Sequence, residues 1–541
     1  MTDAQYAVQL TTSLMPAQND APVLETTVGG LLREVAAEVP DLTSLVEVTM
    51  EGVCDRTWTY GQMLGDAEKL ALALSTRFEP GERVAVWSPN TPEWVIMEFA
   101  CALAGLVLVT VNPAYQAKEL DYVLQQSESV ALFLTEEYRG NPMAEIAATV
   151  CAKISMVREV TILEDTATLH RHEDRAALLP EVTPYEAAQI QYTSGTTGFP
   201  KGAVLHHRGL TNNARLVARR LGVAKGDRWL NFMPMFHTSG CGIAALGVLQ
   251  SRATIYVAKI FDPAAMNSLI AEQKITFMLG VPTMLIGMLE AHKAVPTDFS
   301  SIRVAVSGGS MVPPELIRRV QQTIGCGFET VYGQTETSPV VTQTRTTDAF
   351  EDVCDTVGQP LPGIAISIRA VETNQVVALG DVGEICSHGH CNMIGYNGNA
   401  EATAETIDED GWLHTGDLGT MDSRGFVRVT GRVKEMIIRG GENLFPVEIE
   451  NVLQEHPCIA EVAIVGLPDE KWGEIVACFF RPESGQNVDR QELAAHCRTH
   501  LSAHKTPVRW FSVEEFPLTG SGKIQKFALR DGYANGDYQD L

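Results

Sequence analysis

The sequence predicts an α/β protein with a smaller α+β unit at its C-terminal end. Three observations carry this. From residue 83 onward, apolar runs of strand length alternate with helical patterns, as in a mostly parallel sheet with helices on its faces. From about Cys354 to Val429 the pattern turns to short strands and glycine turns, and a separate α+β pattern follows it. Finally, 541 residues exceed what one ordinary core accommodates. The boundary is placed after Gly431, giving parts 1–431 and 432–541.

Residues 1–50 read as an irregular arm with a first helix at 28–38. Strand 83–88, helix 92–104, buried strand 106–111, helix 118–126 and strand 130–134 follow. Gly105 divides the apolar stretch from Phe99 to Val111 into a helix end and a strand, and the stretch is shorter than the ~18 residues a spanning helix needs. A strand with Ile190 and Tyr192 then feeds a polar loop, followed by a short strand at 203–205 and a helix from about Arg208. Alternation resumes with strands at 229–233, 254–257, 277–279 and 303–307, and helices at 263–273, 282–292 and 313–324. In the C-terminal unit the pattern is helix 447–456, strands 461–466 and 475–481, helix 490–502 and strand 508–514.

Composition narrows the function. Hydrophobic content of 45% fits a globular protein. A net charge of −26 excludes nucleic acid as a bulk partner, because a phosphate backbone needs a basic face. It leaves room for a nucleotide, which needs only a local cationic site. Eleven cysteines without a framework, and a first forty residues with acidic groups and no apolar core, lead to the expectation of a reducing, cytoplasmic location. No integral membrane segment is expected. The oligomeric state stays open, with a homodimer among the options.

The stretch that organises the chain is Tyr192-Thr193-Ser194-Gly195-Thr196-Thr197-Gly198-Phe199-Pro200-Lys201-Gly202. Glycines let backbone N–H groups approach phosphate oxygens, hydroxyls donate further bonds, and a lysine neutralises charge. The spacing is not that of a Walker loop. Asn231-Phe232-Met233-Pro234-Met235-Phe236-His237 ends a strand with a histidine. Ser307-Gly308-Gly309-Ser310 and Tyr332-Gly333-Gln334-Thr335-Glu336-Thr337 each follow a strand, where glycines admit a flat ring and Tyr332 offers a stacking face. Glu336 is a hard oxygen donor of the kind magnesium takes from protein when phosphates supply the rest. In Trp412-Leu413-His414-Thr415-Gly416-Asp417 the aspartate has the geometry to accept two adjacent hydroxyls, and Gly431-Arg432 adds a guanidinium. Cys386-Ser387-His388-Gly389-His390-Cys391 resembles a metal cluster only superficially, since six consecutive residues do not wrap a tetrahedral ion.

Y-T-S-G-T-T-G-x-P-K-G is the phosphate loop of the adenylate-forming (AMP-binding) family, and the chain resembles that family's acyl-CoA synthetases. Four further motifs match in order, through Pro517-Leu518-Thr519-Gly520-Ser521-Gly522-Lys523-Ile524-Gln525-Lys526. The resemblance implies a large N-terminal domain of stacked β-sheets flanked by helices and a small mobile C-terminal lid. It implies two half-reactions, in which a carboxylic acid attacks the α-phosphate of ATP and a thiol, coenzyme A, then displaces AMP. ATP would contact Thr193, Ser194, Gly195, Thr196, Thr197, Gly198, Lys201, Gly308, Gly309, Ser310, Tyr332, Gly333, Gln334, Thr335, Asp417, Arg432 and Lys523. Thr196, Lys201, His237, Glu336 and Lys523 would act in catalysis, with Glu336 holding Mg2+ and Lys523 delivering a charge from the lid. His237 and Cys241 would line the acyl pocket, Gly440 and Gly441 the coenzyme A path, and Lys434 would be the hinge. Residues 441–446 resemble those of aliphatic acyl-CoA synthetases, and the tryptophan that gates some long-chain enzymes is absent near Cys241. A short-to-medium fatty acid is therefore expected, with an aryl acid or a stand-alone carrier protein's thiol as alternatives.

Overall fold

The computed structural model describes residues 4–172, 178–193, 200–440, 442–483, 485–486, 488–518 and 524–541. Two large sheets dominate the first part. One has seven strands, in the order Gly395–Tyr396, Lys201–His206, Ala187–Thr193, Val107–Val111, Arg83–Trp87, Ser129–Leu134 and Glu159–Ile162. The other has nine, running from Gln359–Pro360 through Val340–Gln343, Gly327–Gly333, Val304–Gly308, Phe277–Leu279, Arg228–Asn231 and Thr254–Ala258 to the hairpin Thr43–Val48 and Cys54–Thr59.

The period of two along each strand shows how these sheets stack. Val84 and Val86 face one core while Ala85 and Trp87 face another. In the nine-stranded sheet Trp229, Phe277, Val304 and Val306 join the same central core as Val84, whereas Leu230, Met278 and Ala305 pack into a third. The helices Val28–Glu38, Tyr60–Ser75, Pro92–Leu103 and His207–Leu221 fill the space between the sheets, through Leu31, Leu70, Phe99 and Leu210 among others. The layers are thus helix, sheet, helix, sheet, helix. Strands covered on both faces read as continuous apolar runs, which is why they were legible in the sequence.

Local chemistry sets the element ends. Thr91 accepts from Trp94 N and Pro92 occupies the first turn of Pro92–Leu103; Asp262 and Pro263 repeat the arrangement for Pro263–Gln273. A third sheet combines Ile364–Arg369, Gly383–Gly389, Leu413–Met421 and Val427–Arg432 with Leu14–Met15 of the N-terminal arm. The arm was expected to be irregular; it carries this edge strand because Leu14 and Met15 pair with Ser367 and Ile366.

Arg432 is the last residue of the third sheet, and after the single turn Val433–Glu435 a fourth sheet begins at Ile437–Arg439. Its long hairpin, Ile459–Asp469 with Gly473–Pro482, is covered on one face by helices Pro446–Gln454 and Arg490–His500. Lys526–Asn535 covers the other face through Leu529. This last helix and the hairpin Ile437–Arg439/Glu442–Leu444 were not foreseen. Among the described residues no helix is long and apolar enough to cross a membrane, and no cysteine is in a disulfide.

Candidate active site

The site is assembled where strands of the two large sheets end. Strands Ala187–Thr193 and Lys201–His206 form an antiparallel hairpin with Thr193 opposite Lys201. The predicted loop residues Ser194, Gly195, Thr196, Thr197 and Gly198 lie outside the described residues, as do Gly441 and Lys523. The hairpin passes directly into helix His207–Leu221, whose first turn is capped by His206 accepting from Gly209 N.

Lys201 places its ammonium 4.8 Å from the centroid of the Tyr396 ring. The Tyr396 hydroxyl donates to Glu336 Oε1 at 2.7 Å. Glu336 is buried on the single turn Thr335–Thr337 that follows strand Gly327–Gly333. Burial holds its carboxyl above the usual range, opposed by the Tyr396 hydrogen bond and by the charges of Arg432 and Lys201. Glu336 thus feels cations from both sides of the site. The Glu336 carboxylate is a hard oxygen donor of the kind that fits magnesium, with phosphate oxygens and water completing the shell.

A second cluster forms one strand end away. Tyr332 donates its hydroxyl to Asp417 Oδ2 at 2.9 Å, and Arg432 Nε reaches Asp417 Oδ1 at 2.8 Å. Each carboxylate oxygen can accept a further bond, so a vicinal diol fits the remaining lone pairs. The Arg432 side chain is 44% exposed and can still meet an incoming anion. Asp417 and Arg432 are cross-strand partners, which explains their pairing.

Gly308 and Gly333 are glycines for steric reasons. A Cβ on Gly308 would stand 2.4 Å from Val331 O, and one on Gly333 1.9 Å from Pro339 O. Gly309, at φ +77°, turns the chain away from the end of strand Val304–Gly308. Gly308 lies opposite Val331, so Ser310, Gln334 and Thr335 flank the neighbouring strand ends where open α/β sheets bind ligands.

His237 follows Arg228–Asn231 on a loop pinned by Asn90, which accepts from Met235 N at 2.8 Å and donates to Met233 O at 3.0 Å. Its Nδ1 faces Ser239 N and Oγ at 3.3 and 3.2 Å. The next segment, Ser239–Leu246, is a π-helix, in which Ile243 N bonds Thr238 O at 2.8 Å. Cys241 sits in it, fully buried. Its sulfur accepts from Gln191 Nε2 at 3.1 Å, Gln191 also donates to Gln189, and Gln189 donates to Glu98 at 2.7 Å. Burial pushes the Glu98 carboxyl up to about 8. This polar chain behind Cys241 was not anticipated. Its signal was the pair Gln189 and Gln191 at period two within an otherwise apolar strand.

The structure therefore brings together Lys201, Glu336, Tyr332, Asp417 and Arg432, and adds Tyr396 to them. Tyr396 was not among the site residues expected from the sequence. Gly440 lies elsewhere, in the turn of the fourth sheet against the Trp472 ring. Lys434 is exposed on the single turn between the third and fourth sheets. Cys386 does not cluster with Cys391: its sulfur faces His414, as does Glu384 at 2.8 Å, an arrangement already closed by hydrogen bonds.

Strand-end glycines, a buried carboxylate beside a lysine, and an Asp–Arg pair suited to a diol define a nucleotide-using enzyme. The chain belongs to the family of AMP-binding enzymes: the family's AMP-binding enzyme domain matches residues 32–397 and its C-terminal domain residues 448–523. It is an acid–thiol ligase of the AMP-forming kind, an acyl-CoA synthetase that uses ATP and coenzyme A. It is 36% identical to YngI of Bacillus subtilis, an acyl-CoA synthetase by assignment, over 94% of this chain and 98% of that one. It is 34% identical to the mitochondrial medium-chain acyl-CoA ligase ACSF2 of Bos taurus, over 93% and 87% of the two chains. Among solved structures, o-succinylbenzoate CoA synthetase MenE of Bacillus subtilis, in complex with its acyl-adenylate, superposes with a TM-score of 0.81 at 27% identity, over 94% and 99%.

Proposed function

We propose that the chain activates a short-to-medium-chain fatty acid to its acyl-adenylate and passes the acyl group to coenzyme A. The observation that carries the residue roles is the linked set Lys201–Tyr396–Glu336 and Tyr332–Asp417–Arg432. In this reading Asp417 holds the ribose diol, Tyr332 and the glycines at 308, 309 and 333 admit the base, and Lys201 with Thr193 and the loop after it meets the phosphates. Magnesium held by Glu336 would neutralise charge on the phosphates as the carboxylate approaches. Lys201 and Arg432 supply fixed positive charge where negative charge develops, and no protein nucleophile is required. His237, oriented by Ser239, faces the carboxylate end of the acid.

The lid is the C-terminal part that follows the third sheet, turning at Lys434 to exchange Lys523 for the Gly440-Gly441 turn. Glu435 beside the hinge is tied to the lid by Lys526, which also pairs with Glu450, at 2.9 and 2.8 Å. A cytoplasmic location and a homodimer belong to the same proposal. Support for an aliphatic acid comes from the likeness to ACSF2 and from the small Cys241. An aryl or polar acid is the second reading, favoured by the polar chain Gln191–Gln189–Glu98 behind Cys241. The test is a panel of aliphatic and aryl acids assayed for pyrophosphate release with and without coenzyme A. Release only with aryl acids would overturn the aliphatic reading, and AMP release indifferent to coenzyme A would point to a carrier-protein thiol.

A further inference from the structure

Asp417 is displayed by an irregularity in the third sheet. Strand Gly383–Gly389 pairs with Leu413–Met421 so that Glu384 lies opposite Leu418 and Cys386 opposite His414. Two steps on one strand thus match four on the other, so that Thr415-Gly416-Asp417 stand against Ile385 alone, a surplus of two residues, with Gly416 at φ +71°. Such a bulge keeps its shape only if its backbone groups are held. Glu384 Oε1 accepts from Gly416 N at 2.9 Å, Thr415 Oγ1 donates to Ile385 O at 2.7 Å, and Asp417 N donates back to Thr415 Oγ1 at 3.1 Å.

The other oxygen of Glu384 is held by His414. Nδ1 stands 2.8 Å from Glu384 Oε2, and Nε2 stands 3.5 Å from Asp408 Oδ2. The three side chains are only 14–20% exposed, so solvent screens their charges weakly. Asp408 is anchored in turn: Oδ1 accepts from Asp410 N and Trp412 N, and Oδ2 faces Arg369 at 3.4 Å and Asn374 at 3.3 Å. Besides these, the ring faces the thiol of Cys386 at 3.5 Å. An imidazolium fits this place because it donates to two carboxylates at once, whereas neutral imidazole donates to one.

We infer that His414 is a positioning residue: its charged form locks Glu384 onto Gly416, and so fixes the bulge that presents Asp417 to the nucleotide's ribose. The inference rests on the ribose assignment above. The hydrogen bond His414 donates to Glu384, then the charges of Glu384 and Asp408, raise the His414 pKa over its ordinary 6.5 against the effect of burial. The charge-dependent part of the lock is therefore complete below that value and is lost as pH rises through the folded one.

The test measures KM for ATP and for 2′,3′-dideoxy-ATP across pH, by pyrophosphate release, in the parent, His414→Gln and Glu384→Gln. In the parent, KM for ATP should climb above neutral pH with kcat little changed. Both variants should start about three- to tenfold higher in KM at mildly acid pH, the scale of one hydrogen bond, with a flattened pH dependence. They should also lose discrimination against the dideoxy nucleotide. A parent that discriminates while both variants discriminate equally well overturns the lock and leaves the ribose assignment standing. A parent that does not discriminate overturns the ribose assignment and the inference with it. Should His414→Gln fail to fold, Glu384→Gln and the parent's own pH profile decide the matter by the same outcomes.

Discussion

Removing one oxygen from Tyr396 tests the magnesium role proposed for Glu336. Tyr396→Phe keeps the ring over which Lys201 sits at 4.8 Å and deletes only the hydroxyl that donates to Glu336 at 2.7 Å. Glu336 is 7% exposed, so water does not readily replace the lost donor. A hydrogen bond to a charged group contributes ~1.5–3 kcal/mol, and each ~1.4 kcal/mol is a factor of ten in the ionisation constant. The carboxyl, already raised by burial, rises further. The acid limb of pyrophosphate release should move to higher pH, and well down that limb the magnesium concentration for half-maximal rate should increase about tenfold or more. Stability follows the same sign. A buried carboxyl whose folded pKa exceeds its unfolded one costs stability as pH rises, because ionisation favours the unfolded chain. The variant should therefore unfold at lower temperature than the parent at neutral pH, with the gap narrowing in acid. The assay is initial-rate pyrophosphate release over pH and magnesium, with thermal unfolding alongside. An unmoved acid limb together with an unchanged magnesium dependence would refute the role of Glu336.

Three further outcomes are expected. Lys523→Ala should lower adenylate formation by about two to three orders of magnitude while thioester formation from supplied acyl-adenylate survives; equal loss in both half-reactions would refute the assignment. Lys434→Pro, which fixes φ near −65° on the turn Val433–Glu435, should keep much of the adenylation rate and lose most thioester formation, whereas Lys434→Ala should do neither strongly. A proline variant making thioester at the parent rate would place the hinge elsewhere. Cys241→Trp must displace Gln191 from its 3.1 Å contact with the sulfur and should raise KM for longer acids more than for short ones, with an unchanged chain-length profile arguing that Cys241 does not line the pocket.

Much of the architecture was legible because it is written in local patterns. Strands such as Arg83–Trp87 and Val304–Gly308 are covered on both faces, so they stand out as apolar runs, and helices such as Pro92–Leu103 and Pro263–Gln273 carry their own caps. The chemistry of Lys201, Glu336 and Asp417 was likewise visible as residue types in fixed order. What the sequence did not hold were relations between residues far apart in the chain. Tyr396 reaches Glu336 across sixty positions, because Gly395–Tyr396 adds an edge strand beside Lys201–His206. Glu98 joins Gln189 only because a helix between the sheets packs against that strand. His414 meets Glu384 and Asp408 through a bulge that no run of residues announces. Propensity and periodicity act over one or two turns of chain, and they specified the elements. The partners of a buried carboxylate are chosen by burial itself, which demands a donor from whichever strand or helix the tertiary fold brings alongside.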